Sequence, residues 1–91
     1  MRLDELTGER VDGGAVVVTS LAYDSRRVVP GALFFCVSGF ERDGHAYAAE
    51  AVAAGAVALV VERRLGLGVP EVVVASVRAA MGPVAARFHG D

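Results

Sequence analysis

Short apolar runs are the feature that most constrains the fold of this sequence. Residues 33–37 read LFFCV, residues 56–61 read AVALVV, and residues 71–75 read EVVVA. Their length and their β-branched and aromatic content predict strands. Because polar residues do not alternate with apolar ones, these strands are expected to be covered on both faces, as in a parallel sheet. An earlier run, AVVVTSLAY, predicts one further strand or two short ones.

Three segments between and around these runs predict helices. LDEL near the N-terminus predicts a short helical turn with Leu3 and Leu6 on one side. HAYAAEAVAAG is rich in alanine and ends at a glycine that suits the position after a helix. The last segment, VRAAMGPVAARFHG, follows Ser76, a candidate N-cap. Its apolar spacing predicts an inner face made of Val77, Ala80, Val84 and Phe88.

Pro83 lies well inside this last segment, next to Gly82. Proline removes one backbone donor and crowds the preceding turn of a helix, and glycine weakens a helix further. We therefore expect a kink or a break near residues 81–83.

The order of the predicted elements indicates the fold class. Strand, helix, strand, strand, helix is typical of a single small α/β domain with a mostly parallel or mixed sheet flanked by helices. The connection from LFFCV through the alanine-rich helix to AVALVV predicts a right-handed crossover. Ligands of such sheets bind outside the carboxyl ends of the strands. Two polar loops, YDSRR and SGFERDG, follow strand regions, so we expect both at one rim of the sheet.

Composition excludes several classes of function. A net charge of −2 over 91 residues leaves no broad basic face for nucleic acid. No apolar stretch is long enough to cross a bilayer, so membrane insertion is not expected. The single Cys36 cannot form an internal disulfide, which fits a reducing cytoplasm. All nine basic residues are arginine, so the chain holds no phosphate-loop lysine.

No metal site is predicted. His45, His89 and Cys36 do not have the spacing of metal ligands, and no acidic cluster joins them. We expect His45 to begin a helix and to bond to nearby backbone, His89 to end the last helix, and Cys36 to be a small buried apolar residue.

Four short motifs follow one another between residues 24 and 62. They are D-S-R, P-G-x-L-F, G-x-x-x-D-G-H and G-A-x-A-x-x-V-E. This ordered set closely resembles the N-terminal domain of Mur ligases, the cytoplasmic ATP-dependent enzymes that build the peptide stem of bacterial peptidoglycan. The likeness covers residues 3–90. The C-terminal segment is most similar to MurE-type members, which add the third amino acid to UDP-MurNAc-L-Ala-D-Glu, and MurF-type members, which add the terminal dipeptide, are the near alternative.

The resemblance implies a division of labour between domains. It implies that residues 1–91 form the UDP-substrate-binding domain, with the UDP-MurNAc-dipeptide substrate as partner. It also implies that ATP and Mg²⁺ act in a central domain, and that the amino acid is bound mainly in a C-terminal domain, both absent from this chain. We therefore expect no cofactor in this chain, no catalytic residue and no turnover by the chain alone.

The resemblance also implies which residues contact the substrate. In MurE-like domains the residue before D-S-R and the serine of that motif contact the uridine nucleotide, and they correspond to Tyr23 and Ser25. The tripeptide that contacts uracil aligns with Phe40, Glu41 and Arg42, directly after Gly39. Arg42 departs from the family pattern, in which small or polar residues are usual at this position.

The residues alone also allow an interpretation without a ligand. Asp24 and Ser25 are ordinary turn residues that cap a turn through side-chain hydrogen bonds, with Asp24 paired to Arg26 and Arg27 in solvent. Glu41 and Arg42 then form a surface pair of little energetic value. Asp43 and Gly44 are expected to make the turn and the cap that begin the next helix. On this interpretation the chain is an α/β structural or interaction domain that binds no nucleotide.

Overall fold

A parallel four-stranded sheet organises the protein in the computed structural model, which describes residues 1–38 and 43–90. The strand order is the order in the chain, and every neighbouring pair is parallel. The strands are β1 (Ser20–Ala22), β2 (Ala32–Phe35), β3 (Ala58–Val61) and β4 (Glu71–Val73). The helices are α1 (Leu3–Thr7), α2 (Ala48–Ala53) and α3 (Val77–His89), with short 3₁₀ turns at Ser25–Arg27 and Gly44–Tyr47. The predicted α/β class with a parallel sheet is confirmed.

Strands β2 and β3 form the centre of the sheet and are buried at every residue. Their side chains alternate between two apolar cores. On one face Leu33, Phe35 and Val60 pack with the apolar residues of α1 and α3. On the other face Phe34 and Leu59 pack with the alanines of α2. The prediction that these runs are covered on both faces is confirmed.

The run AVVVTSLAY forms less regular strand than its composition suggests. Only Ser20–Ala22 pairs with β2. The preceding residues pair with the N-terminus instead, because the Leu3 amide donates to Val16 O at 2.9 Å and the Val18 amide donates to Met1 O at 2.7 Å. Of the two alternatives, two short pieces describe this run better than one strand.

The alanine-rich segment begins as a 3₁₀ turn and continues as α2. Ala48 and Ala51 are fully buried, and their small side chains let the helix lie close to the sheet. The segment ends at Gly55, whose φ of 114° suits glycine. A Cβ atom there would lie 2.7 Å from Pro30 Cα, so a larger residue does not fit. The predicted end of the helix at this glycine is confirmed.

Helix α3 begins as predicted, since Ser76 Oγ accepts a hydrogen bond from the Ala79 amide at 3.1 Å. Its inner face is also as predicted: Val77 and Val84 are buried, and Ala80 and Phe88 pack against the same core.

The predicted break near Pro83 is wrong, because one α-helix runs from Val77 to His89. Pro83 and Gly82 lie on the exposed face, while Val77 and Val84 anchor the helix to the sheet on both sides of them. The carbonyl that loses its partner is that of Ala79, an exposed residue, so water can replace the missing amide. A kink within the continuous helix stays a prediction.

No helix in residues 1–38 and 43–90 has the length and apolarity needed to cross a membrane.

We predict that Pro83→Ala stabilises the protein, because alanine restores the amide donor within a continuous helix. Proline in a helix interior costs about 3 kcal/mol relative to alanine. The greater freedom of the unfolded alanine chain offsets part of this, so we expect a gain of about 1–2 kcal/mol in the free energy of unfolding. Urea denaturation measures it.

Gly82→Ala is the matched control for this change. Its Cβ atom would meet nothing within 4 Å, so a gain of about 0.5–1 kcal/mol is expected from helix propensity alone. A Pro83→Ala variant no more stable than the wild type would mean that the helix does not run unbroken through residue 83.

Candidate functional site

The carboxyl ends of β1, β2 and β3 lie at one rim of the sheet, and a polar segment follows each strand. Residues 23–27 follow β1, Ser38 comes shortly after β2, and Glu62 directly follows β3. Buried strands accept polar groups only where they end, so the polar groups collect at this rim. The structure thus places the loop YDSRR and Ser38, the first residue of the loop SGFERDG, at neighbouring strand ends.

A cleft of about 340 Å³ opens between these segments. One side is made by residues 23–26, and the other by Val37, Gly44, Tyr47 and Glu50. Two of the predicted contact residues, Tyr23 and Ser25, lie together in this lining. The predicted contacts at Gly39, Phe40, Glu41 and Arg42 lie outside the described residues and stay predictions.

Tyr23 lines the cleft and carries a ring that packs on the core. Its ring stacks on the buried ring of Phe35, with the centroids 5.0 Å apart and the planes at 20°. Tyr23 itself is 46% exposed. The ring is thereby held against the core, while nearly half of the residue stays exposed.

Asp24 fixes the turn that follows Tyr23. Its Oδ1 accepts from the Arg26 amide at 3.0 Å, which caps the 3₁₀ turn Ser25–Arg27. The Arg26 guanidinium donates to both carboxylate oxygens, at 3.2 Å and 3.0 Å. These hydrogen bonds from Arg26 lower the pKa of Asp24 to about 2. The predicted structural role of Asp24 and its pairing with Arg26 are confirmed, and Arg27 is exposed as expected.

Ser25 is not needed for this cap. It is half-buried, lies at the first position of the turn and lines the cleft. Its hydroxyl has no hydrogen-bond partner in the part of the chain that the structure describes. A hydroxyl both donates and accepts, so Ser25 can bond to an oxygen or to an N–H group of a ligand.

A second polar cluster, made of Ser38, Asp43, His45 and Glu62, lies at the stem of the second loop. Ser38 and Asp43 form an isolated antiparallel bridge. Glu62 joins three elements: its amide donates to His45 Nε2 at 2.8 Å, and its carboxylate accepts from Ser38 Oγ at 3.2 Å and from the Val77 amide at 2.9 Å. Glu62 thus ties the ends of β2 and β3 to the start of α3.

His45 has a structural role in this cluster, as predicted. Its side chain is fully buried, and its Nε2 accepts from a backbone amide. The ring proton of the neutral imidazole therefore sits on Nδ1 and is donated to Asp43 Oδ1, 2.6 Å away. Asp43 also accepts from the His45 amide at 3.0 Å, the cap expected for the next helix, and from Arg63 at 3.0 Å. The hydrogen bonds from His45, joined by the one from Arg63, lower the pKa of Asp43 to about 2.

Sequence reasoning missed the role of Glu62. The available signal was a carboxylate placed directly after a continuously apolar strand, at the end of the G-A-x-A-x-x-V-E motif. No group of three candidate metal ligands occurs within residues 1–38 and 43–90. Burial raises the pKa of the Cys36 thiol to about 12, so this residue is an apolar core residue as expected.

The chain is similar to a known protein family and to named bacterial ligases. The family described as Mur ligase family, catalytic domain, matches residues 17–89. A UDP-N-acetylmuramoyl-L-alanyl-D-glutamate–2,6-diaminopimelate ligase of Halalkalibacterium halodurans is 50% identical over 90 residues, 98% of this chain and 18% of that protein. The ligase of the same name from Geobacillus thermodenitrificans is 53% identical over 79 residues, 87% of this chain and 16% of that protein.

Solved structures agree with the fold. A crystal structure of MurF from Acinetobacter baumannii superposes with a TM-score of 0.77 at 27% identity, over 97% of this chain and 20% of that chain. The chain therefore spans about a fifth of the length of the proteins that it matches.

We predict that Asp43→Asn reduces the acid sensitivity of the fold. The pKa of Asp43 is about 2 in the folded protein, below the value of about 3.9 for an unfolded chain. Its carboxylate therefore stabilises the fold above the unfolded pKa, and this contribution is lost as the pH falls from about 5 to about 2. The variant should be less stable at pH 7 and lose less stability over that interval, as measured by urea midpoints.

Asp12→Asn serves as the control, because Asp12 is exposed and forms no ion pair among the described residues. Equal loss of stability in the wild type and in Asp43→Asn between these pH values would contradict the assignment.

Proposed function

Because the chain belongs to the Mur ligase family, we propose that it binds the uridine diphosphate end of UDP-MurNAc-L-Ala-D-Glu. It would do so as the N-terminal module of a MurE-type ligase, a cytoplasmic enzyme that adds the third amino acid of the peptidoglycan stem. The observation that carries the proposal is the cleft at the carboxyl rim of a parallel sheet, which Tyr23 and Ser25 both line.

The two described residues suit different parts of a nucleotide. The Tyr23 ring, fixed against Phe35, offers a flat surface on which uracil can stack. Stacking of a base on an aromatic side chain contributes about 1–3 kcal/mol to binding. The Ser25 hydroxyl, which has no partner within the described residues, would bond to a ribose or phosphate oxygen.

Residues 39–42 are assigned to the same site because of the family resemblance alone. Gly39, Phe40, Glu41 and Arg42 align with the uracil-contacting segment of the family. Main-chain groups beside a glycine can approach a ligand closely, so this segment would read the uracil edge. Arg42 would add a positive charge near the diphosphate.

The family resemblance assigns ATP and Mg²⁺ to other domains. The described residues contain no group of three candidate metal ligands, and the sequence contains no lysine to serve a phosphate loop. We therefore assign ATP and Mg²⁺ to the other domains of a full-length ligase, and expect no turnover by these 91 residues alone. This chain would supply substrate binding and orientation.

MurF-type membership is the second candidate. It is favoured by the superposition on MurF of Acinetobacter baumannii at 27% identity. Identities of 50% and 53% to the diaminopimelate ligases support the MurE type more strongly. Both types would use the cleft for the same end of the substrate.

We predict that UDP binds weakly at the cleft, with a Kd of roughly 0.1 to 10 mM, or about −3 to −5 kcal/mol. Affinity is modest because the sugar and peptide of the full substrate would contact other domains, while ordering the nucleotide still costs entropy. Ser25→Ala should weaken binding by about 1 kcal/mol through a lost hydrogen bond. NMR titration should show amide shifts for residues 23–25 that are larger with UDP than with ADP.

Arg27→Ala is the control, since Arg27 lies in the same turn, is exposed and does not line the cleft. It should leave the affinity nearly unchanged. If about 20 mM UDP, twice the weakest expected Kd, produced no shifts, the chain would be an α/β structural domain that binds no nucleotide.

A further inference from the structure

Glu50 is a carboxylate of the cleft to which the proposed function gives no role. It lies in the first turn of α2, is exposed, and lines the cleft across from the turn Ser25–Arg27. Its side chain accepts no hydrogen bond from any residue in the described ranges 1–38 and 43–90. Among the described residues, neither of its oxygens is engaged.

The described wall of the cleft is more negative than a diphosphate site should be. It carries two carboxylates, Asp24 and Glu50, and one guanidinium, Arg26. Arg26 is already held by Asp24 through two hydrogen bonds, and Asp24 stays ionised at neutral pH because its pKa is about 2. A phosphate placed against this wall would meet more negative than positive charge.

A neutral group with hydroxyl donors fits the same wall well. An ionised carboxylate only accepts hydrogen bonds, and it can accept at both oxygens. The ribose of a nucleotide has two hydroxyls on adjacent carbons, which can occupy both oxygens, whereas uracil has a single N–H donor. In dinucleotide sites an acidic residue accepts a hydrogen bond from the ribose 2′-hydroxyl.

We propose that Glu50 binds the ribose hydroxyls of the nucleotide, so that the cleft takes the uridine and the phosphates lie away from Asp24 and Glu50. This inference rests on the proposed function, because it concerns the same ligand and the same cleft. It makes Glu50 a residue that distinguishes ribose from sugars without the two hydroxyls.

The test compares UDP with its 2′,3′-dideoxy analogue by NMR titration of the 91-residue chain. We expect the wild type to bind UDP about 5- to 10-fold more tightly than the analogue. The reason is that the analogue lacks the hydroxyls that would donate hydrogen bonds to a charged acceptor at an exposed site. In Glu50→Ala the two ligands should bind equally, since the acceptor is gone. Alanine favours helix at this exposed position, and an unchanged amide spectrum checks that the fold persists.

Glu9→Ala is the matched control, because it removes an equal charge at an exposed residue outside the cleft and should keep the wild-type ratio. A wild-type ratio near one, with both ligands shifting the cleft residues, would overturn the role of Glu50 and leave the proposed function standing. A ratio that Glu50→Ala does not change would also overturn it, because another group would then read the hydroxyls. If neither ligand shifted the cleft residues, the proposed function and this inference would both be wrong.

Discussion

Burial of β2 and β3 on both faces is the constraint on which the rest of the structure depends. Every residue of these strands is buried, so the two central strands have no surface on which to carry polar groups. Helices α1 and α3 must cover one face and α2 the other. Polar chemistry is then confined to the strand ends, and parallel pairing brings those ends to a common rim.

Two aspartates fix the backbone at this rim in the same way. Asp24 and Asp43 each cap a 3₁₀ turn by accepting from the amide two residues later, and each also binds an arginine, Arg26 or Arg63. The first turn positions Tyr23 and Ser25 on one side of the cleft. The second begins the segment that carries Tyr47 and Glu50 on the other. The cleft is therefore held by polar contacts on both sides, although the sheet beneath it is apolar.

The sequence predicted what local patterns determine. Apolar runs indicated β2 and β3, and Ser76 marked the start of α3. The length of the first strand was overestimated because residues 16–18 pair with the N-terminus and not with β2. Strand propensity does not reveal which partner such residues choose. Glu62 was missed because its side-chain and backbone partners lie 15 to 24 residues away in the sequence. The predicted break at Pro83 is wrong because tertiary packing on both sides of it outweighs its local cost.

Proton–proton contacts between bound UDP and the protein test the central claim, that this rim binds the uridine end of the nucleotide, most directly. The account predicts intermolecular nuclear Overhauser effects from the uracil H5 and H6 protons to the ring protons of Tyr23, because the base is proposed to stack on that ring. Contacts from UDP confined to α1 or to β4, with none to Tyr23, would contradict it.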